Sequence, residues 1–172
     1  MAVLEIRKYP DEVLKRKAGL VDRIDDALRL LIDNMIETMY AAPGVGLAAP
    51  QVGVSKRLIV IDVSTREEKQ PLITLVNPEI IETDGFVELE EGCLSVPEYT
   101  AVITRAERIK VKALDRSGAP VEIESSGLFA RALQHEIDHL DGVLFIDRLS
   151  SIKREFFKKR YRKTLRELHG GA

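Results

Sequence analysis

Between Asp25 and Tyr40, Leu28, Leu31, Ile32, Met35, Ile36 and Met39 recur three and four apart. That spacing predicts a helix with one apolar face, capped by Asp25 or Asp26. The glycines and prolines of AAPGVGLAAPQVG (41–53) break it. RLIVIDV (57–63) is a short continuous apolar run, the pattern of a buried strand. ITLVNPEI (73–80) and IIETDGFVELE (80–90) predict further strands, with Asp84-Gly85 as a hairpin turn. RIKVKAL (108–114) alternates, and DRSG (115–118) is a turn leading to APVEIES (119–125). A helix is predicted from Ser126, its N-cap, to Asp141, where Gly142 stops it. After the connector GVLFIDRLS (142–150), a last helix is expected from Ser150 to Leu168.

These elements predict an α+β fold: antiparallel strands around a central helix, with one helix near each end of the chain. Strands and helices do not alternate regularly, which argues against a Rossmann-type sheet. With no repeat, linker or low-complexity segment, residues 1–172 are expected to form a single domain ending in a basic helix at 150–168.

Composition changes this picture little. The chain is 45% hydrophobic and 31% charged, as in an ordinary globular protein. No apolar run approaches the roughly 18 residues of a membrane helix. The N-terminus, MAVLEIRKYPDEVL, has no apolar signal region, so a cytoplasmic protein with no membrane association is expected. Charge is more informative. Residues 151–172 carry eight basic side chains and two acidic ones, +6 in all, within a chain whose total is −2. A cationic tail on an acidic body suits either a polyanionic partner or a solvated helix with no partner. The one cysteine, Cys93, cannot form an internal disulfide, which leaves metal binding, nucleophilic chemistry or packing.

The chemistry concentrates in QHEIDH (134–139), where His135 and His139 stand four apart on one helix face. Two imidazoles so placed suit one metal ion. Glu136, one residue past a ligand, can reach water at the site without binding the metal. A third ligand is not obvious downstream. His169 lies near the C-terminus, and Asp141, Asp147, Glu155 and Glu167 sit at unconvincing positions. Upstream, Cys93 in ELEEGCLSVPE (88–98) would complete a Cys/His/His site with one position open. Packing and nucleophilic roles for Cys93 stay open at this point.

GVGLAAPQ (44–51), EGCLS (91–95) and QHEIDH (134–139), in this order, resemble the three signature motifs of the peptide deformylases. The similarity extends through IRKYPDEVL, NPEI, KALDRSG and GVLFIDRLS to nearly the whole chain. It implies a hydrolase that removes the formyl group from the N-terminal methionine of nascent polypeptides, releasing formate. It implies a divalent metal held by Cys93, His135 and His139, with Fe²⁺ as the native ion, although the ligands also suit Zn²⁺, Ni²⁺ or Co²⁺. Glu136 would be the general base, and Gln51 and the Leu94 backbone N–H would stabilise the oxyanion. Gly44 and Gly46 would let backbone pass close to the substrate, with Val45, Leu89, Leu128 and Ala132 as walls of a methionine pocket. Arg131 falls where an apolar residue is expected. Thr100 stands where some members carry arginine, and Pro43 where some carry glutamate. The resemblance also implies that the basic C-terminal helix docks on ribosomal RNA. A monomer is expected. An HExxH endopeptidase and an RNA-associated protein with a structural metal are the competing classes; the lack of a downstream ligand, Cys93 and the two other motifs count against the first, and the offer of only three good ligands counts against the second.

Overall fold

The computed structural model describes residues 2–168, so His169 lies outside the described residues. Helix α1 (Asp26–Ala41) is capped by Asp25, whose carboxylate accepts from Leu28 N–H at 2.9 Å. Seven strands follow: β1 (Gly46–Ala48), β2 (Leu58–Ile61), β3 (Ile73–Asp84), β4 (Val87–Cys93), β5 (Val96–Arg105), β6 (Arg108–Leu114) and β7 (Pro120–Ser126). Then come α2 (Gly127–Leu140) and α3 (Ser151–Leu168), joined through a 3₁₀ turn at Phe145–Arg148. Every strand pairing is antiparallel, in a five-stranded sheet ordered β1-β2-β3-β6-β7 and a separate β4-β5 ribbon. The α+β expectation holds. No described helix is long and apolar enough to cross a membrane.

The buried reading of residues 57–63 has a simple cause. Alternate residues of β2 point to opposite faces. Leu58 and Val60 join Leu28, Ile32, Met35 and Met39 of α1, while Ile59 and Ile61 join Ala130, Leu133, Ile137 and Leu140 of α2. Both faces of β2 are covered, so no polar alternation survives. A third cluster joins Val96 and Ile103 of β5 to Phe145, Phe157 and Tyr161, and it seats α3.

The expectation for residues 73–90 is corrected, and two strands were not anticipated. The predicted strand break near Ile80 is absent: β3 runs through it, with register shifts between Val76 and Glu79, where Asn77 has φ 52°, and between Ile80 and Glu82, and Asp84-Gly85 closes no hairpin because β3 and β4 belong to different sheets. β5 carried no strand signal, because Pro97 and the left-handed Glu98 (φ 63°) interrupt its pattern. β1 and a 3₁₀ turn at Ala49–Val52 lie inside a stretch that reads only as a helix breaker. Ser126 occupies the N-cap of α2 without a side-chain capping bond.

Helix α2 stops as expected. Gly142 has φ 74°, its N–H donates to His139 carbonyl at 3.2 Å, and Val143 N–H donates to Asp138 carbonyl at 2.9 Å. This is a Schellman closure. A side chain at Gly142 would also collide with the Lys15 carbonyl.

Candidate active site

Helix α2 presents His135, Glu136 and His139 toward the end of β4, where Cys93 stands beside the turn into β5. Cys93 Sγ lies 3.4 Å from His139 Nε2, and His139 Nε2 lies 3.2 Å from His135 Nε2. The three donor atoms all fall within 4.8 Å of one another. Metal–nitrogen bonds of about 2.1 Å and metal–sulfur bonds of about 2.3 Å put tetrahedral donors about 3.4–3.6 Å apart. The two short edges therefore fit a shared cation.

His135 Nδ1 donates to Glu91 Oε1 at 2.8 Å, which fixes the ring with Nε2 turned toward Cys93 and His139. Burial alone would lower the His135 pKa, but its hydrogen bonds to Cys93 and Glu91 and the neighbouring negative charges raise it well above the ordinary histidine range, so a cation entering the cluster would displace the Nε2 proton. Burial and the neighbouring positive charges of His135 and Arg105 push His139 well below the ordinary histidine range, toward the neutral form that ligates metal. Burial alone would raise Glu91, but the hydrogen bonds and charges of Arg105 and His135 outweigh it and hold the carboxyl at about 2.

Glu136 is 4% exposed and points at the same place, with Oε1 3.8 Å from His135 Nε2. Its Oε2 is buried without a hydrogen-bond partner among the described residues. Burial pushes its pKa up to about 7, against the pull of His135 and Arg105 and helped by Glu91 and Asp138. Gly46 makes room for it, because a Cβ there would stand 3.0 Å from Glu136 Cγ.

Gln51, 1% exposed, is oriented by its partners. Ala48 N–H can only donate, so the atom it meets at 3.0 Å is Oε1. That turns Nε2 toward Ser95 Oγ at 3.1 Å and Cys93 Sγ at 3.7 Å. Leu94 lies in the adjoining turn.

A cavity of about 630 Å³ opens beside these groups. Gly44, Val45, Gly46, Leu94, Leu128 and Ala132 line it, together with Pro43, Thr100 and Arg131. Arg131 Nε is buried and without a partner among the described residues, so its stem lies along the wall. Leu89 is not among the lining residues. Its neighbour Glu90 does line the cavity, and Leu89 itself is exposed.

Two features were not read from the sequence. Ser95 is fully buried, accepts from Gln51 and donates its N–H toward Cys93 Sγ at 3.4 Å. The other is a chain of buried ion pairs. Arg105 Nε and NH2 bind both Glu91 oxygens at 2.9 and 2.7 Å, and its NH1 reaches Asp138 Oδ2 at 2.5 Å. Arg148 clamps Asp138 with two further bonds of 2.7 Å. Ion pairs between residues far apart in sequence leave no periodic trace. The one available signal was Asp138, an acid facing inward between two histidines.

A buried HExxH helix with a thiol completing the cluster, a carboxylate alongside and amide donors opposite defines a metal-dependent amide hydrolase. A family model described as polypeptide deformylase matches residues 3–155. Peptide deformylase of Thermodesulfovibrio yellowstonii is 62% identical over 162 residues, 94% of this chain and 98% of that protein. That of Syntrophobacter fumaroxidans is 53% identical over 167 residues, 97% and 98% of the two chains. Among solved structures, a peptide deformylase from Legionella pneumophila superposes with a TM-score of 0.89 at 49% identity, covering 98% of each chain. One from Ehrlichia chaffeensis in complex with actinonin gives 0.89 at 43% identity, covering 95% of this chain and 98% of that one. The chain belongs to the polypeptide deformylase family, metal-dependent enzymes that remove the N-formyl group from newly made polypeptides.

Proposed function

We propose that deformylation runs in this cavity, with Cys93, His135 and His139 holding one divalent cation and Glu136 as general base. The observation that carries the reading is the convergence of three donor atoms within 4.8 Å beside a buried, unpartnered Glu136 oxygen. A divalent ion bound there supplies Lewis acidity toward the formyl oxygen and makes water easier to deprotonate. Glu136 takes the proton from the water that attacks the formyl carbon. It returns that proton to the methionine nitrogen, so that the amine leaves neutral and formate is released. Gln51 Nε2 and Leu94 N–H donate to the formyl oxygen as charge builds, and one such donor is typically worth about 10²–10³ in rate. Gly44 and Gly46 let the substrate backbone run close to β1. Val45, Leu128 and Ala132 surround the methionine side chain, with the Arg131 stem along one wall. Fe²⁺ is the proposed native ion, and Zn²⁺, Ni²⁺ and Co²⁺ suit the same ligands.

The test is anaerobic release of formate from a short formyl-methionyl peptide by Fe²⁺-reconstituted protein, beside Glu136→Ala. Turnover lost in a variant that still binds metal supports the assignment. Cleavage inside an unformylated peptide without formate release overturns it.

The same reading makes residues 1–172 one catalytic domain, a monomer working in the cytoplasm where formylated chains are made, with α3 docking on ribosomal RNA. Lys158, Lys159, Arg160, Arg162, Lys163 and Arg166 are all exposed, while Phe157 and Tyr161 hold the helix to the body. Phosphate contacts of this kind weaken steeply with salt. Because truncation of α3 would remove Phe157 and uncover the Tyr9 and Tyr99 rings it packs on, the better test changes Lys159, Lys163 and Arg166 to glutamine. Salt-dependent co-sedimentation with ribosomes should fall in the triple variant, and unchanged co-sedimentation refutes the docking.

A further inference from the structure

The ion-pair chain behind the ligand cluster ends at a residue with no counterpart in the three motifs. From the outside inward it runs Arg148, Asp138, Arg105, Glu91, His135, each bonded to the next. Charges alternate along it. Two guanidiniums balance two carboxylates, and a single imidazole stands at the inner end. Asp138 and Arg105 are both buried, so neither can exchange a lost partner freely for water. Arg148 differs in that its side chain is 43% exposed. It closes the chain from the solvent side.

The bond count shows what Arg148 controls. Arg105 makes two bonds to Glu91 and one to Asp138. Asp138 is satisfied mainly by the two parallel bonds from Arg148. Without them, Asp138 keeps only Arg105, and one guanidinium faces two buried carboxylates. Asp138 then competes with Glu91 for Arg105. Glu91 Oε1 is the atom that both Arg105 NH2 and His135 Nδ1 address, so a shift of Arg105 moves the acceptor that orients the ligand ring. The 3₁₀ turn carrying Arg148 also packs Phe145 against the His135 ring, with centroids 6.3 Å apart and planes 28° apart. Both ends of that turn bear on the same imidazole.

We infer that Arg148 is a positioning residue of the metal centre: by holding Asp138 it keeps Arg105 on Glu91, and so fixes His135 with Nε2 turned to Cys93 and His139. The inference rests on the assignment of Cys93, His135 and His139 as ligands, and the two fail differently. Arg148→Met removes the charge, and Arg148→Lys keeps it but cannot form two parallel bonds. The measurement is release of Co²⁺ from reconstituted protein to excess chelator, followed by the thiolate-to-cobalt absorption, with thermal melting of the metal-free proteins alongside. Arg148→Met should release Co²⁺ about tenfold faster than wild type, in the range seen for partners that orient metal ligands. Arg148→Lys should fall between, with melting of both variants close to wild type. Release within about twofold of wild type in both variants overturns the inference. So does faster release that merely tracks a loss of melting temperature, since that marks a role in folding alone. A wild type that shows no thiolate-to-cobalt band overturns the ligand assignment itself, and this inference with it.

Discussion

Helices α2 and α3 are neighbours in sequence and opposite in design. In α2 several buried side chains have specific partners, although Arg131 Nε, Glu136 Oε2 and His139 Nδ1 have none among the described residues. Leu133, Ile137 and Leu140 pack on β2, Gln134 binds both backbone groups of Ala106, and Asp138 is held by two arginines. In α3 Phe157, Tyr161 and the half-buried Leu165 face the body, four residues apart, Arg154 and Thr164 are partly covered, and the other described side chains are exposed and mainly basic. A helix that must hold a reactive constellation spends its polar residues on one another. A helix that needs only to be seated leaves most of its charges in solvent.

The contrast can be broken from the α2 side first. Glu136→Ala should lower kcat by about 10²–10⁴ with metal content unchanged, the range for loss of a general base. Metal analysis beside formate release checks it, and loss of metal in the variant would move Glu136 into the ligand set. Phe157→Ala is the largest effect expected within α3. Phe157 is 1% exposed and meets Tyr9, Tyr99 and Tyr161 rings, so truncation should cost about 3–5 kcal/mol in a denaturant titration. A loss below about 1 kcal/mol would mean α3 is not seated as described.

Gln51→Ala should reduce kcat/KM by about 10²–10³ while metal affinity stays nearly constant. A change in KM alone would assign Gln51 to binding and not to the oxyanion. The smallest effect is expected where the two helices differ most. Exchanging Lys159, Lys163 and Arg166 for glutamine should leave formate release on a short peptide unchanged and shift stability by less than about 0.5 kcal/mol for each exposed site. A clear drop in turnover would tie α3 to the cavity and remove the distinction.

What could be read from sequence follows the same division. The α1 and α2 boundaries come from 3.6-residue periodicity and stop signals, which are local; the HExxH spacing offered His135 and His139 as a candidate metal pair, and the family resemblance added Cys93. β5 escaped because its strand pattern is broken at Pro97 and Glu98, and only pairing with β4 restores it. Leu89 was placed in the pocket by motif position, but Glu90 lines the cavity and Leu89, the next residue on the strand, does not. Gln51 was assigned, but the amide's orientation depends on Ala48 N–H and Ser95 Oγ, which no spacing encodes. The pairing of Arg105 and Arg148 through Asp138 is wholly tertiary.

The order of the large sheet has a consequence for solubility. Its two border strands are β1 and β7, and an open border is where a β-protein risks recruiting a second molecule. β7 is guarded by Pro120 at its start and by the outward carboxylates of Glu122 and Glu124. β1 carries no such guard. It is protected by brevity and burial: its three residues, Gly46 to Ala48, are all buried and too few to template a stack.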